Sequence, residues 1–455
     1  MQTASPGAQQ LLAAAVQHYE AGRLAEAERL LQKVLAINPR HSDSLHLLGV
    51  MAYQSERNDL AVDLISKAIA INPREPSSHS NLGNLFLQQG RLDEAVACYR
   101  KALVLKPDFS EALNNLGNAL KAQKRLGEAV AVYRRALDLR PDDPEVHYNL
   151  ALALLACGEM PEGWQEHEWR WKTPQLIRAR RDFAQPQWRG EVAEGRTLLI
   201  HAEQGFGDTL QFCRYAPLAA ARGLRVILEV PKPLDRLLRS LPGVERTVAQ
   251  GEPLPPFDLH CPMLSMPLAF ATTIATIPGD VPYLHADAAQ MAAWRTRLAA
   301  LENRGHRIGV VWAGNPRRQL LAAAAVDRRR SVDPKRLAPL FELPGLHYFS
   351  LQKDGPAAPA QFPLTDFMGE MEDFADTAAL VANLDLVISV DTAVVHLAAA
   401  LGKPVWLLDR FDACWRWLVG RRDSPWYPGL RLYRQPQPGD WGSVIAEIVS
   451  DLRSL

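Results

Sequence analysis

Three clusters in the second half of the chain carry side chains and spacings suited to group transfer. The first is His201-Ala202-Glu203-Gln204-Gly205-Phe206-Gly207-Asp208-Thr209. Two glycines let the backbone approach a ligand closely, and a helix opening here favours an anion at its N-terminus. Asp208 suits a proton acceptor and equally a plain N-cap, where Asp is favoured. The second is Trp312-Ala313-Gly314-Asn315-Pro316-Arg317-Arg318, followed by Arg328-Arg329-Arg330-Ser331. Clustered guanidinium groups give bidentate hydrogen bonds to phosphate oxygens, and a solvated basic loop has the same composition. The third begins Ser389-Val390-Asp391-Thr392 and runs through His396 to Gly402-Lys403-Pro404. Thr392 and His396 are four residues apart, hence on one side of a helix start. Asp391 fits its N-cap, and Gly402 and Pro404 end it. His396 also suits burial beneath the strand end.

Each cluster follows a short apolar run, and such runs are what would position it. Strand patterns fall at 197–201, 225–230, 258–260, 308–312, 348–351, 384–390 and 405–408. Helical patterns fall between most of them, at 209–221, 234–240, 288–301, 334–343, 374–383 and 392–401, with a last one at 441–454. This alternation implies parallel sheets with helices on both faces. A polar gap at about 302–306 divides the region into two doubly wound, Rossmann-like halves, 195–302 and 303–455. Facing one another, such halves leave a cleft at the carboxyl ends of their strands. The Ala-rich run 320–326 reads as a mobile loop or an extra turn.

The first third is different. Pro39, Pro73, Pro107 and Pro141 recur every 34 residues; so do Gly49, Gly83, Gly117 and Ala151, and Ala27, Ala61, Ala95 and Ala129. Small residues where two helices cross, with a proline after the second helix, form the tetratricopeptide (TPR) pattern, and 34 is its length. Four units span 8–141 and a fifth starts near Pro144, predicting a helical solenoid over 1–160 with a concave groove. Asn81, Asn115 and Asn149 share the period, with Asn84 and Asn118 one turn later. Their amides offer both donor and acceptor and could grip an extended peptide backbone, or could merely bond the backbone between repeats. Residues 161–194 read as a capping helix and linker. Trp164 and Trp171, seven apart, lie on one helix face if the helix continues, and Pro186 and Gly190 mark the linker.

Composition narrows the classes. The chain has 455 residues, 47% hydrophobic and 22% charged, with 51 basic and 51 acidic side chains. That is ordinary for a folded globular protein of two or three domains. With no long basic run it argues against a nucleic-acid binder. Five scattered cysteines form neither CxxC pairs nor metal spacing, which suits free thiols in a reducing compartment. The longest apolar stretch, 394–408, is interrupted by His396, Lys403 and Pro404, and residues 1–10 lack the features of a signal peptide. The expectation is a cytoplasmic protein without an integral membrane segment, with room for peripheral association with the inner membrane.

Together the three clusters resemble glycosyltransferases of the GT-B fold, specifically the heptosyltransferase-like family 9. The matching elements are Gly207-Asp208, Arg330 and Asp391-Thr392…His396-Leu397-Ala398-Ala399-Ala400-Leu401-Gly402. The repeats resemble those of O-GlcNAc transferases, asparagine ladder included, and solenoid followed by GT-B module is that layout too. The O-GlcNAc transferase catalytic signatures are not evident, and Arg330 stands where heptosyltransferases typically carry Lys. The resemblance implies a metal-independent enzyme without cofactor, moving a sugar from a nucleotide-sugar to a hydroxyl acceptor. It implies Asp208 as base and Arg330 as the cation at the leaving diphosphate. Gly205, Gly207, Asn315, Gln352, Lys353, Asp391, Thr392 and His396 would contact the donor. The repeats would recruit a protein or peptide acceptor through Asn81, Asn84, Asn115, Asn118 and Asn149.

Two alternatives stand beside it: a TPR scaffold with a degenerate GT-B domain, and a heptosyltransferase-like enzyme acting on a glycolipid. The segment Trp415-Arg416-Trp417…Trp426-Tyr427 reads as packing or as a sugar-stacking platform.

Overall fold

The computed structural model describes residues 6–301, 305–315 and 321–455, which form two compact units meeting at Ala153 and Leu154. The first is entirely helical: α1 (Pro6–Glu20), α2 (Leu24–Ile37), α3 (Ser42–Gln54), α4 (Asn58–Ile71), α5 (Pro76–Gln88), α6 (Leu92–Leu105), α7 (Ser110–Ala122), α8 (Leu126–Leu139) and most of α9 (Pro144–Cys157). Helices α1–α8 pack as consecutive hairpins. Ala27, Ala61, Ala95 and Ala129 are fully buried. A Cβ on Gly49, Gly83 or Gly117 would fall closer than 3.0 Å to Ile65, Tyr99 or Tyr133 of the paired helix. The small columns are therefore what lets each hairpin close. Each hairpin turn has a residue at positive φ, supplied by Gly22, Glu56, Gly90 and Lys124 in turn. This is the TPR solenoid that the 34-residue period predicts.

In the second unit the end of α9 leads into α10 (Met160–His167) and a 3₁₀ turn at Glu168–Lys172. Helix α10 stops at His167, so Trp164 lies on the α-helix and Trp171 in the 3₁₀ turn that continues it. Trp164 is buried, donates from Nε1 to the Thr272 carbonyl at 3.0 Å, and meets Trp415 edge-on. Arg170 lies over the ring of Trp171.

Two parallel sheets follow. The first has β1 (Thr197–His201), β2 (Arg225–Val230), β3 (Val244–Ala249) and β4 (Leu259–Pro262), in the order β3-β2-β1-β4. Its connections carry α11 (Phe206–Phe212), α12 (Tyr215–Ala221), α13 (Lys232–Leu238), α14 (Met266–Ala269) and α15 (Ala288–Ala299). The second has β5 (His306–Val311), β6 (Leu346–Ser350), β7 (Leu364–Asp366), β8 (Leu386–Val390), β9 (Val405–Asp409) and β10 (Leu430–Arg434), in the order β10-β9-β8-β5-β6-β7. Its helices are α16 (Leu321–Arg330), α17 (Ala338–Phe341), α18 (Phe374–Val381), α19 (Ala393–Ala400) and α20 (Trp441–Leu452). Central strands β1 and β8 are buried along their whole length, which their unbroken apolar runs require.

Several expected elements differ. The helix expected over 209–221 is two helices, and the first begins at Phe206, so Asp208 lies inside its first turn. The helix expected over 334–343 is a 3₁₀ turn, Pro334–Leu337, followed by α17. The run expected as a mobile loop is helical from Leu321, consistent with alanine's high helix propensity. Strands β3, β7 and β10 were not anticipated. Arg317, Arg318 and the gap residues 302–304 lie outside the described residues.

Candidate functional site

The strand order reverses between β5 and β8 in the second sheet and between β1 and β4 in the first. Loops diverge at such points and leave room for a ligand at the carboxyl ends. The Gly205–Asp208 loop follows β1, Trp312–Asn315 follows β5, and Asp391-Thr392 follows β8.

Arg330 ties two of the second sheet's loops together. Its Nη1 donates to the Asp391 carbonyl at 2.9 Å, and its Nε donates to Asp327 Oδ1 at 2.9 Å. Gly314 lies so close to the guanidinium and to Asp327 that any side chain there would collide with both. Gly314 N–H also donates to Ser331 Oγ at 3.2 Å. Helix α16 thus delivers Arg330 to Asp391, two residues before α19 begins, with 18% of its side chain exposed. Arg329 pairs with Asp412, while Arg328 is exposed.

Other candidates are spent on loop structure. Gln352 accepts from Trp312 N and Ala313 N at 3.1 and 2.8 Å and donates to the Ala313 carbonyl at 2.9 Å, fixing the backbone after β5. Lys353 donates to the Met371 carbonyl. Asn315 makes a long contact, 3.4 Å, with Asp354.

Asp391 is not the N-cap of α19. Thr392 takes that place with extended backbone and no side-chain cap bond, and the helix begins at Ala393. His396 is 4% exposed; its Nδ1 lies 2.9 Å from Tyr427 Oη, and its ring stacks on Trp417. Burial, with Arg416 and Arg214 nearby, holds its pKa well below the usual value, so the ring is neutral. Trp417, Trp426 and Tyr427 are buried, which gives this segment to packing.

The first sheet's glycine loop meets this helix. A Cβ on Gly207 would sit 2.9 Å from His396 Cδ2 and 3.6 Å from Ala393 Cα. Only glycine lets α11 seat against the start of α19. Gly205 is the N-cap of α11, and Asp208, two positions beyond its first residue, reaches back so that Oδ2 accepts the Gly205 N–H at 2.9 Å. Its Oδ1 pairs with Arg416 Nη2. Arg416 also donates from Nε to Gln211 Oε1 at 2.8 Å and from Nη1 to Cys414 Sγ at 3.2 Å.

Arg416 escaped the sequence reading because an arginine between two tryptophans reads as a local packing segment. So did Arg214, 4% exposed, which donates to the carbonyls of Pro278 and Trp426 and to Tyr283 Oη, each at 2.8 Å. Beneath the glycine loop, fully buried Arg170 pairs with Glu203 at 2.9 Å and with Glu168 at 2.6 Å and donates to Ser265 Oγ at 2.8 Å. A buried arginine is tolerated only with such compensation. None of these three positions has a signature short of its tertiary partners.

The asparagine column forms a lateral chain between first helices of successive repeats. Asn81 Nδ2 lies 2.8 Å from His46 Nε2, Asn115 donates to Asn84 Oδ1 at 3.0 Å, and Asn149 donates to Asn114 Oδ1 at 3.1 Å. Tyr99 and Tyr133 hydroxyls donate to Asn84 and Asn118 at 2.7 and 2.8 Å. Among the described residues these asparagines bond the neighbouring repeats side chain to side chain, which corrects the expected alternative of bonds to inter-repeat backbone.

Comparison with known proteins agrees with both parts. Residues 12–76, 80–144 and 128–163 match the tetratricopeptide repeat family, and residues 357–408 match glycosyltransferase family 9 (heptosyltransferase). The second match contains Asp391, Thr392 and His396 but not Asp208 or Arg330. Protein FlbA of Caulobacter vibrioides is 29% identical over 332 residues, 66% of this chain. The chain spans about half, 54%, of that relative's length. Among solved structures, MamA is 17% identical, covering 34% of this chain and 91% of its own, with a TM-score of 0.32. Pseudomonas aeruginosa PilF is 24% identical over 36% of this chain and 74% of its own, with a TM-score of 0.34. No helix among the described residues is long and apolar enough to cross a membrane.

Proposed function

We propose that a chain joining TPR repeats to a segment matching glycosyltransferase family 9 is a GT-B glycosyltransferase, with the repeats recruiting its protein acceptor. The observation that carries this reading is the seating of the Gly207-Asp208 turn on Ala393 and His396 of α19. It supports an active centre made from the carboxyl ends of both sheets.

In this reading the donor is a nucleoside-diphosphate sugar. Its diphosphate lies at the start of α19, where unsatisfied backbone N–H groups favour an anion. Arg330, already bonded to the Asp391 carbonyl, contributes the permanent positive charge that stabilises the departing diphosphate. Asp208 takes the proton of the acceptor hydroxyl as that oxygen bonds to the anomeric carbon and the carbon–phosphate-oxygen bond breaks. Neutral His396 orients the helix start from below instead of carrying charge, and Gln352 and Lys353 shape the adjoining loops. Cationic side chains and the helix meet the diphosphate charge, a metal-independent arrangement. The enzyme works in the cytoplasm, where nucleotide-sugars are made.

A non-catalytic scaffold is favoured by one observation, that both Asp208 oxygens are engaged. Release of nucleoside diphosphate from a panel of nucleotide-sugars separates the two. An enzyme releases it from at least one donor, and Asp208→Asn slows release in the presence of an acceptor by about 100-fold or more. A scaffold releases none.

A further inference from the structure

The Asp208–Arg416 pair differs from the Arg170 cluster beneath the same loop. Arg170 is sealed, whereas the side chains of Arg416 and Asp208 keep 11% and 18% exposure. Arg416 is anchored through Nε and Nη1 to Gln211 and Cys414, and only Nη2 reaches Asp208. The guanidinium pairs with Asp208, and Asp391 is near enough for its charge to act on Arg416 as well. Asp208 in turn has Oδ2 bonded to the Gly205 amide and Oδ1 to the guanidinium. An incoming hydroxyl therefore meets a carboxylate each of whose oxygens already accepts one hydrogen bond, one of them from a guanidinium.

We propose that Arg416 is exchanged between Asp208 and the diphosphate of the donor, so that donor binding itself frees Asp208 to accept a proton. The inference rests on the glycosyltransferase reading above. A diphosphate carries at least two negative charges against one on Asp208, and the guanidinium fork matches phosphate oxygens. Changing the partner of Nη2 leaves the Nε and Nη1 anchors in place, so the exchange needs no rearrangement of the Trp415–Trp417 turn. Without donor the base stays covered; with donor its Oδ1 is released beside the acceptor.

The test is calorimetric titration with UDP, ADP, GDP and CDP of the full chain and of Asp208→Asn, Asp208→Ser, Arg416→Gln and the Asp208→Asn/Arg416→Gln double variant. Asn and Ser keep an acceptor for the Gly205 amide, and melting curves verify folding. Both Asp208 variants should bind the recognised diphosphate about tenfold more tightly than wild type, the scale of one hydrogen bond to a charged group. Arg416→Gln should bind about tenfold less tightly, and the gain from Asp208→Asn should vanish in the double variant. A static strut predicts no gain, so unchanged affinity in both Asp208 variants, or a gain that persists without Arg416, overturns the exchange alone. If none of the four binds wild type, the glycosyltransferase reading falls and the exchange with it.

Discussion

Gly207 and His396 lie in van der Waals contact, with room for no side chain between them: a Cβ on Gly207 would stand 2.9 Å from the imidazole Cδ2. His396 cannot yield, because it is fixed by Tyr427 on one side and stacked on Trp417. Gly207→Ala should therefore push α11 away from α19 and cost about 1–3 kcal/mol, the usual cost of overpacking. Chemical denaturation checks it. A midpoint equal to wild type would mean that the two helices separate without penalty.

Arg330→Ala should weaken nucleoside diphosphate binding by about tenfold or more, since it removes a charged donor and frees the Asp391 carbonyl. Arg328→Ala, on the exposed side of the same helix, should leave affinity unchanged. Equal loss in both variants would reduce the effect to general surface charge.

Replacing Asn81, Asn115 and Asn149 together by Ala should lower the stability of the solenoid. Each removes a lateral bond worth about 0.5–1.5 kcal/mol. Circular dichroism should show a lower melting temperature with helix content retained. An unchanged melt combined with lost partner binding would return these amides wholly to peptide recognition.

Acid should destabilise the second unit. Burial holds His167 and His396 well below the usual histidine range and His201 down to about 3, with charged neighbours reinforcing all three. The unfolded chain titrates them near 6.5 and so binds more protons, and stability falls as the pH drops below that value. At pH 5 the cost is about 2 kcal/mol for His201 alone. Asp409 acts oppositely: burial raises it to about 6, so it recovers stability over roughly pH 6 to 4. Burial also raises Glu203 and Glu229, which act with Asp409, and lowers His260, which acts with the other histidines. The four histidines should outweigh the three carboxylates and leave a lower melting temperature at pH 5 than at pH 7. A higher one would mean that the histidines are reached by solvent.

The sequence revealed what is local. The small-residue columns forced the hairpins, and central strands β1, β2, β8 and β9 stood out as unbroken apolar runs. The three strands it missed, β3, β7 and β10, are all edges of their sheets. Edge strands mix polar and apolar residues, and β3 and β10 read as Val-Glu-Arg-Thr-Val-Ala and Leu-Arg-Leu-Tyr-Arg. The site followed the same division. Asp208, Asp391 and His396 are candidates from their strand-to-helix context, and Arg330 from an arginine cluster and the family resemblance. Arg416 and Arg214 acquire meaning from tertiary partners, among them Asp208 and Trp426, some 200 residues away in sequence.

The central claim is that the start of α19, Arg330 and the Gly207-Asp208 turn receive the diphosphate of a nucleotide-sugar. The most direct measurement is a thermal shift with UDP, ADP, GDP and CDP at millimolar concentration, on wild type and Arg330→Ala. A ligand that binds the folded state stabilises it by mass action, about 2.7 kcal/mol at a hundredfold excess over Kd. The account predicts that at least one diphosphate raises the melting temperature by several degrees and that Arg330→Ala abolishes most of the shift. No shift with any of the four, or an equal shift in the variant, would contradict it.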